Sequence, residues 1–373
     1  MNILMILSNP LLVDPRVHKE AKTLVDTGHH VTVIVWDRKH LYKTEETIDG
    51  IRIVRIHNKG LLKLLRSDLF RNPLWWRRAY KKGIELHNST PFDVVHCHDL
   101  DTLQAGVWFK KKIGCKLIYD AHELWGHLIE GNVPGFVVKK AFSMEKKLVQ
   151  DADHIITVSP PFKTYFSSIC EKPITLVMNC KDLIYKQYQP PSNKEFTIIY
   201  IGGMKNRRFF PEIIDIISSM DNTRLILGGK KEDLYQQMKE HAEGISNIEF
   251  KGTIPTSDIL PLTKHADVTF IIVDPTSKHY QQTLFNKQFE AMVCGRPIIT
   301  TKGTYAGIMT EELHCGLTVD YDVSSVKKAI KQLQDNPELC KELGRKAFEA
   351  AQNRYNWKAE QQNLLGVYKE IAI

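Results

Sequence analysis

The chain has 373 residues, more than twice the ~150 of a typical single domain, so two separately cored domains are expected. Hydrophobic residues at 43% and charged residues at 25% exclude a mainly disordered or low-complexity chain. The net charge of +8 is lopsided: residues 1–180 carry 26 Lys+Arg against 19 Asp+Glu, the remainder 25 against 24, so the first half is expected to meet an anionic partner.

Residues 2–7 are a short apolar run closed by Ser8-Asn9-Pro10. With no basic segment before it, this run reads as a first strand rather than a signal peptide. Asp14-Pro15 places an N-cap before proline at the first helical position. Val17, Ala21, Leu24 and Gly28 then recur at helical spacing, and His30–Trp36 is a second buried strand. Strands are expected again at Ile51–Ile56, Asp93–His96, Lys116–Tyr119 and His154–Val158. Pro190-Pro191-Ser192-Asn193 is the best linker. Beyond it come strands at Phe196–Gly203, Thr223–Gly228, Asn247–Gly252, Asp267–Val273, Pro297–Thr300 and Gly316–Val319. Alternation with helices makes this an α/β chain of two doubly wound domains joined near 181–195, with ligand in the intervening cleft at the strand C-terminal ends.

Several functions lose their warrant. The seven cysteines, at 97, 115, 170, 180, 294, 315 and 340, form no C-x-x-C and are odd in number. They read as buried thiols of a cytoplasmic protein. Neither half has G-x-G-x-x-G or G-x-x-x-x-G-K-[ST], which removes the main argument for a dinucleotide dehydrogenase or a P-loop enzyme. No apolar run approaches the ~18 residues of a membrane span.

Two constellations carry candidate chemistry. In the second half, Asn286–Cys294 is one helix ended by Gly295, and its free N-terminal amides at Asn286 and Lys287 suit a diphosphate. Glu290 on its first turns can accept hydroxyl hydrogen bonds from a ribose; an ordinary helix with Lys287 and Glu290 facing solvent is the alternative. The loop Gly202-Gly-Met-Lys-Asn-Arg-Arg208 can bring Lys205, Arg207 and Arg208 to the same diphosphate, or be a solvated basic loop. In the first half, His96 and His98 share one strand face, and Asp120-Ala-His-Glu-Leu-Trp125 sets His122 and Glu123 beside them. A metal-dependent hydrolase using His96, His98, Asp99 and His122 is the rival, although no spacing completes a known ligand set. His96 reads as buried, while His98 and His122 are expected to contact sugar hydroxyls. Ten basic side chains and one acid, Asp68, fall in residues 52–83. Within Leu61–Lys82, Asn72-Pro73 opens a helix whose Trp76, Tyr80 and Ile84 share a face. That face reads either as core or as a helix in an anionic membrane interface; no motif supports nucleic acid.

In order and spacing these motifs resemble the retaining nucleotide-sugar glycosyltransferases of GT-B fold, family four (group 1), over essentially the whole length. The landmarks are Asp14–Ala21, Asp93–His98, Tyr119–Glu123, Ala152–Ser159, Gly202–Arg208, Phe250–Gly252 and Asn286–Pro297. The resemblance implies two Rossmann-like domains facing across a cleft: an acceptor-side domain at 1–180, a nucleotide-sugar domain at 181–354, and a helix at 355–373 crossing back. It implies transfer of a sugar from a nucleoside-diphosphate donor to an acceptor hydroxyl, glycan or lipid-linked, in cell-envelope or glycan synthesis. His122, Glu290 and Arg208 would be the catalytic residues. Gly203, Lys205, Arg207, Arg208, Gln282, Asn286, Lys287 and Glu290 would hold the donor, and Arg16, His98, Asp99, His122 and Glu123 the sugar and acceptor. No metal or other cofactor is implied. The expected location is cytoplasmic, with residues 61–82 meeting the inner membrane face. Two departures stand out: Gln282 replaces the first acid of the family's E-x7-E, and Gly203 replaces the first base of its phosphate clamp. A sugar-nucleotide epimerase and a non-catalytic binding protein are the alternatives.

Overall fold

The computed structural model describes residues 1–58, 68–230 and 234–372. The chain divides into two compact units: Met1–Met178 together with Gln361–Ile373, and Asn179–Glu360. The first is built on eight strands: β1 (Asn2–Leu7), β2 (His30–Asp37), β3 (Glu45–Ile48), β4 (Ile51–His57), β5 (Val94–His98), β6 (Lys116–Ala121), β7 (His154–Thr157) and β8 (Ile174–Leu176). They lie in the order β3-β4-β2-β1-β5-β6-β7-β8. Every pairing is parallel except β3 with β4. Helices cover a parallel sheet, so its strands read as continuous apolar runs; in β1 every residue from Ile3 to Leu7 is buried. The edge strand β3 is short and alternates exposed and half-buried side chains.

The second unit has six parallel strands: β9 (Phe196–Ile201), β10 (Thr223–Gly228), β11 (Ile248–Gly252), β12 (Val268–Ile271), β13 (Ile298–Thr301) and β14 (Gly316–Val319). Their order is β11-β10-β9-β12-β13-β14. Strand order reverses between β1 and β5 in one unit and between β9 and β12 in the other. Crevices form at the C-terminal ends of strands at such switch points. The loops there are Asp99 onward in the first unit and Gly202–Arg208 in the second.

Two expectations are corrected, and one left open between two alternatives is decided. Pro190–Asn193 is not a free linker: Asn193 donates to His265 O and Asp267 at 2.8 Å each, and the Tyr188 hydroxyl donates to Lys341 O at 2.9 Å, so the segment is pinned to the second unit. The basic helix does not open at Pro73 but runs Asp68–Ser89 with Pro73 inside it. Its aromatic face is core: Trp75 is 0% exposed and stacks on Trp36 at 5.1 Å, the Trp76 indole donates to Asp101 O at 2.6 Å, and Tyr80 and Ile84 pack on the same cluster. Burial of aromatic area outweighs an interfacial role for that face. The part of Leu61–Lys82 before residue 68 lies outside the described residues. All seven cysteines are free thiols, and among the described residues no helix is long and apolar enough to cross a membrane.

The packing of this helix generates a contrast. Trp75→Ala should destabilise the first unit by about 3–5 kcal/mol, the range for truncating a core aromatic. Phe70→Ala, at a side chain 62% exposed, should change stability by less than about 0.5 kcal/mol. Urea unfolding midpoints of the two variants measure the difference.

Candidate functional site

In the first unit the site grows from one carboxylate. Asp120, at the end of β6, is 0% exposed. Asp14 caps the helix Pro15–Asp26 through Val17 N at 3.2 Å, which sets Arg16 and Glu20 one turn apart on one face. Arg16 Nη2 reaches both Asp120 oxygens at 3.1 and 3.2 Å and Glu20 at 2.9 Å; its Nη1 donates to Val177 O at 2.7 Å. His96 and His98 project from the same face of β5, their rings stacked at 4.3 Å. His98 Nδ1 lies 3.4 Å and His122 Nε2 3.0 Å from Asp120 Oδ2. Asp99 closes the arrangement: its Oδ1 accepts the His122 amide at 2.9 Å, and its Oδ2 lies 3.5 Å from His122 Nδ1. Asp99 holds φ at +63°, a conformation unfavourable to a non-glycine residue and common where a site is held under constraint.

The electrostatics follow from burial and charge. Burial alone would raise Asp120, but Arg16 and then His122 hold it ionised, well below the usual carboxylate range. Burial opposes charge on His122 too, yet Asp120 and Asp99 raise it to about 10. His98 is pushed down to about 3 by burial and by its neighbour His96, and burial also lowers His96. Burial raises Glu20 to about 8, against the pull of Arg16. One imidazole of the three is therefore charged at neutral pH. Glu20, His96, His98 and Asp120 could each offer a ligand atom, all within 4.8 Å of one another. A divalent cation there would sit against the Arg16 guanidinium, which already serves both carboxylates; the cluster reads as an ion-pair network.

This changes two expected roles. His98 is 0% and Arg16 4% exposed, and the polar contacts of both face inward. They form the wall behind His122 rather than a surface offered to sugar. His122, with its side chain 14% exposed, and Asp99, at 23%, are the groups of this cluster that reach solvent. Glu123 is half-buried beside them.

In the second unit the loop after β9 and the start of the helix Asn286–Cys294 meet. Lys287 Nζ donates to Ile201 O at 3.3 Å and lies 4.2 Å from the Tyr200 ring centroid. Arg208 donates to the Tyr280 hydroxyl at 3.2 Å and to Gly203 O at 3.2 Å, and its Nη1 lies 3.5 Å from the Tyr200 oxygen. Burial disfavours charge on Arg208, but the phenols hold it charged. Burial would likewise raise the Tyr200 phenol, yet Lys287 and Arg208 bring it below its usual value. Among the described residues neither cation is ion-paired with a carboxylate. The turn that brings this loop to its neighbour needs Gly229: at its φ of +148° a Cβ would stand 2.3 Å from Gly202 O. Arg207 is exposed, at φ +64°, with Asp274 3.7 Å away; Lys205 is exposed and Gly203 half-buried.

Asn286 opens the helix with its side chain accepting from Asn179 at 2.7 Å. Its N-cap, Phe285, makes no side-chain cap; Gln288 N bonds Phe285 O at 3.0 Å, and the amides of Asn286 and Lys287 before it receive no side-chain cap. Glu290 is not an open carboxylate: it is 6% exposed and pairs with Lys181 at 3.1 Å. Gln282 is half-buried at the end of the short helix Lys278–Gln282. Sequence reasoning missed Glu20, Asp120, Lys181, Tyr200, Tyr280 and Tyr368 as partners. An acid closing the otherwise apolar β6 was a usable signal for Asp120, since such residues are buried only when paired. No spacing marked Lys181.

Known proteins were then compared. Residues 15–183 match the model of Glycosyltransferase Family 4, and residues 195–336 match Glycosyl transferases group 1. A search of curated proteins found no match. Among solved structures the chain is similar to a sucrose-phosphate synthase from Thermosynechococcus elongatus, with 17% identity, TM-score 0.82, and 100% of this chain and 99% of that one covered. It is similar also to Anabaena Alr3699/HepE in complex with UDP, with 15% identity, TM-score 0.76, and coverage of 99% and 100%. WaaG, a glycosyltransferase involved in lipopolysaccharide biosynthesis, gives 14% identity, TM-score 0.68 and 98% of each chain. At such identities the likeness shows the fold alone.

The Asp120 network makes stability depend on pH. His122 is raised from 6.5 to about 10 in the native state and Glu20 from 4.5 to about 8. Each therefore holds a proton that the unfolded chain has released, Glu20 between 4.5 and about 8 and His122 between 6.5 and about 10, so stability falls as pH rises across that span. Thermal midpoints across that range measure the fall. Asp120→Asn should flatten its His122 part while costing about 3–5 kcal/mol near neutrality, because Arg16 is left buried with its main partner uncharged.

Proposed function

Because this chain belongs to the family 4 and group 1 glycosyltransferases, we propose that it transfers a hexosyl group from a nucleoside-diphosphate sugar to an acceptor hydroxyl with retained configuration. One observation carries the site: Arg208 and Lys287 converge on Tyr200 with only neutral partners among the described residues. Two charged groups left without counter-ions, beside the first amides of a helix, form a site for an anion with more than one charge. A diphosphate fits that chemistry, and Lys205 and Arg207 on the same loop extend it. Such a site stabilises charge developing on the leaving diphosphate as the glycosidic bond breaks, so no metal is required in this reading.

Glu290 would hold the donor ribose, sharing its carboxylate with Lys181. Gln282, in place of an acid, would hydrogen-bond a sugar hydroxyl without adding charge. On the acceptor side His122 would contact the transferred sugar. Its Nε2–H is engaged by Asp120, whereas its Nδ1–H points to Asp99 at 3.5 Å, a long contact that a sugar hydroxyl can replace. In the reaction the bond from the anomeric carbon to the phosphate oxygen breaks, and the acceptor oxygen bonds to the same face. The acceptor proton passes to the leaving phosphate. A neighbour of this fold binds UDP and another takes part in lipopolysaccharide biosynthesis, which supports a UDP-sugar as the first donor to try and a glycan or lipid-linked acceptor. The charge excess of the first half supports an anionic membrane face as the place where that acceptor is met.

A thermal-shift screen against UDP-, GDP-, ADP- and CMP-sugars should single out one donor class, because ligand binding to the native state raises its midpoint. With that donor, Arg208→Ala and Glu290→Ala should each lower transfer by about 10²–10³, the scale of losing one preorganised stabilising group, and chelator should leave activity unchanged. Near-normal turnover in both variants would sink the site assignment. A midpoint shift with no turnover on any acceptor would point to the binding protein, and conversion of donor without acceptor to the epimerase.

A further inference from the structure

We propose that Tyr368 is a positioning residue for His122, acting through His96 and the Asp120 carboxylate. The proposal rests on the reading of His122 as a contact of the transferred sugar. Tyr368 lies near the end of the helix Trp357–Ile371, in the stretch that returns to the first unit, and is 1% exposed. Its hydroxyl is 2.8 Å from His96 Nδ1. Burial, with Glu20 and Asp120 nearby, drives its phenol well above the usual pKa, so the oxygen keeps its proton; with the Asp120 carboxylate facing the other ring nitrogen, the hydroxyl donates to Nδ1 rather than accepting from it. His96 must then accept on Nδ1, and a neutral imidazole that accepts on Nδ1 carries its hydrogen on Nε2.

That Nε2 faces Asp120 Oδ2 at 3.8 Å and has no hydrogen-bond partner of its own among the described residues. The phenol thus turns the positive end of the imidazole dipole toward the carboxylate. The opposite tautomer would turn a lone pair toward it, which is repulsive in so dry a place. Asp120 Oδ2 is also the atom His122 Nε2 bonds, at 3.0 Å, with His98 Nδ1 3.4 Å away. A change of polarity at His96 therefore alters how tightly this oxygen holds His122. The other charged or titratable groups facing His122 are Asp99 and His98 from β5 and its following loop, and Arg16 and Glu20 from the first helix. Packing alone asks only for an aromatic ring at 368, since its ring contacts are with His29 and His96 at 6.0 and 6.1 Å. The buried hydroxyl is explained by the bond to His96.

Tyr368→Phe removes one oxygen and keeps the ring. Imidazole 15N spectra should show His96 leaving a single Nε2–H tautomer, with a displaced titration midpoint for His122. The kcat should fall about five- to tenfold, the scale of one neutral hydrogen bond, while donor KM changes little; the unfolding midpoint falls as well, because the buried His96 Nδ1 loses its donor. His96→Asn, which cannot bridge phenol and carboxylate, should lose as much, and the double variant no more than either single one. Unchanged His96 and His122 signals, or single losses that multiply in the double variant, overturn the proposal. So does a changed tautomer with unchanged kcat. In either case His122→Ala separates the two ideas: lost transfer there leaves the reading of His122 standing, and normal transfer removes it as well.

Discussion

The first unit is organised around a buried negative charge. A carboxylate with no exposure is tolerated only when its charge is answered nearby, and Asp120 is answered by Arg16 from one helix and His122 from its own strand exit. Each partner is thereby fixed. Arg16 cannot leave without stranding Asp120, the Asp14 cap and proline at the first helical position fix where its helix starts, and burial with His96 beside it keeps His98 neutral. Glu20, pushed up to about 8 by burial, adds little further negative charge at neutral pH. The chemistry of the site is a consequence of this balance: a single charged imidazole whose Nε2–H is fixed inward and whose Nδ1–H is shared only weakly with a partly exposed acid.

The second unit solves a different problem by the opposite means. Its cations are held in place by phenols, a carbonyl and an aromatic face, which orient Arg208 and Lys287 without cancelling their charge. An acid in place of Tyr200 or Tyr280 would hold Arg208 more firmly and would compete with any anionic ligand. Arg207, with its nearest carboxylate 3.7 Å away, is exposed and only weakly tethered. The backbone contributes as well, since both Arg207 and Phe209 stand at positive φ. A loop held in such a conformation has its cost met by the buried side chains around it, here Met204, Phe209 and Phe210.

Much of this was legible in the sequence because parallel sheets write themselves as apolar runs. Twelve of the fourteen strands among the described residues fall where hydrophobic runs end in turn residues. The two that escaped, β3 and β8, are edge strands, too short and too exposed to leave a period. The pattern also marked the loops of the candidate site, since His122 and Gly202 each follow a buried strand. Burial of a polar side chain was not legible in the same way. His98 and Arg16 were expected to face sugar because strand exits and first loops usually do. They face inward because an acid one strand away needs them, and that relation joins residues 104 apart in the chain. Lys181 on Glu290 joins residues more than a hundred positions apart in the chain, with no local spacing to announce it.

The same reasoning explains why the aromatic helix was ambiguous. Trp76, Tyr80 and Ile84 at helical spacing, flanked by arginines and lysines, fit an interface or a core equally, because both bury one face and solvate the other. The decision comes from a residue outside the stripe: Trp75 is fully buried against Trp36, which itself lies on a strand inside the sheet. Once Trp75 is seated, its helix can turn only one way, and Trp76 is carried round to donate to Asp101. Of the basic side chains of this helix, Arg77 and Lys81 lie toward solvent, whereas Arg71 lies over the Trp36 ring at 5.0 Å and Arg78 donates to His57 O at 3.3 Å. Only part of the charge asymmetry of the first half therefore survives on the exposed side of this helix, while its aromatics belong to the fold.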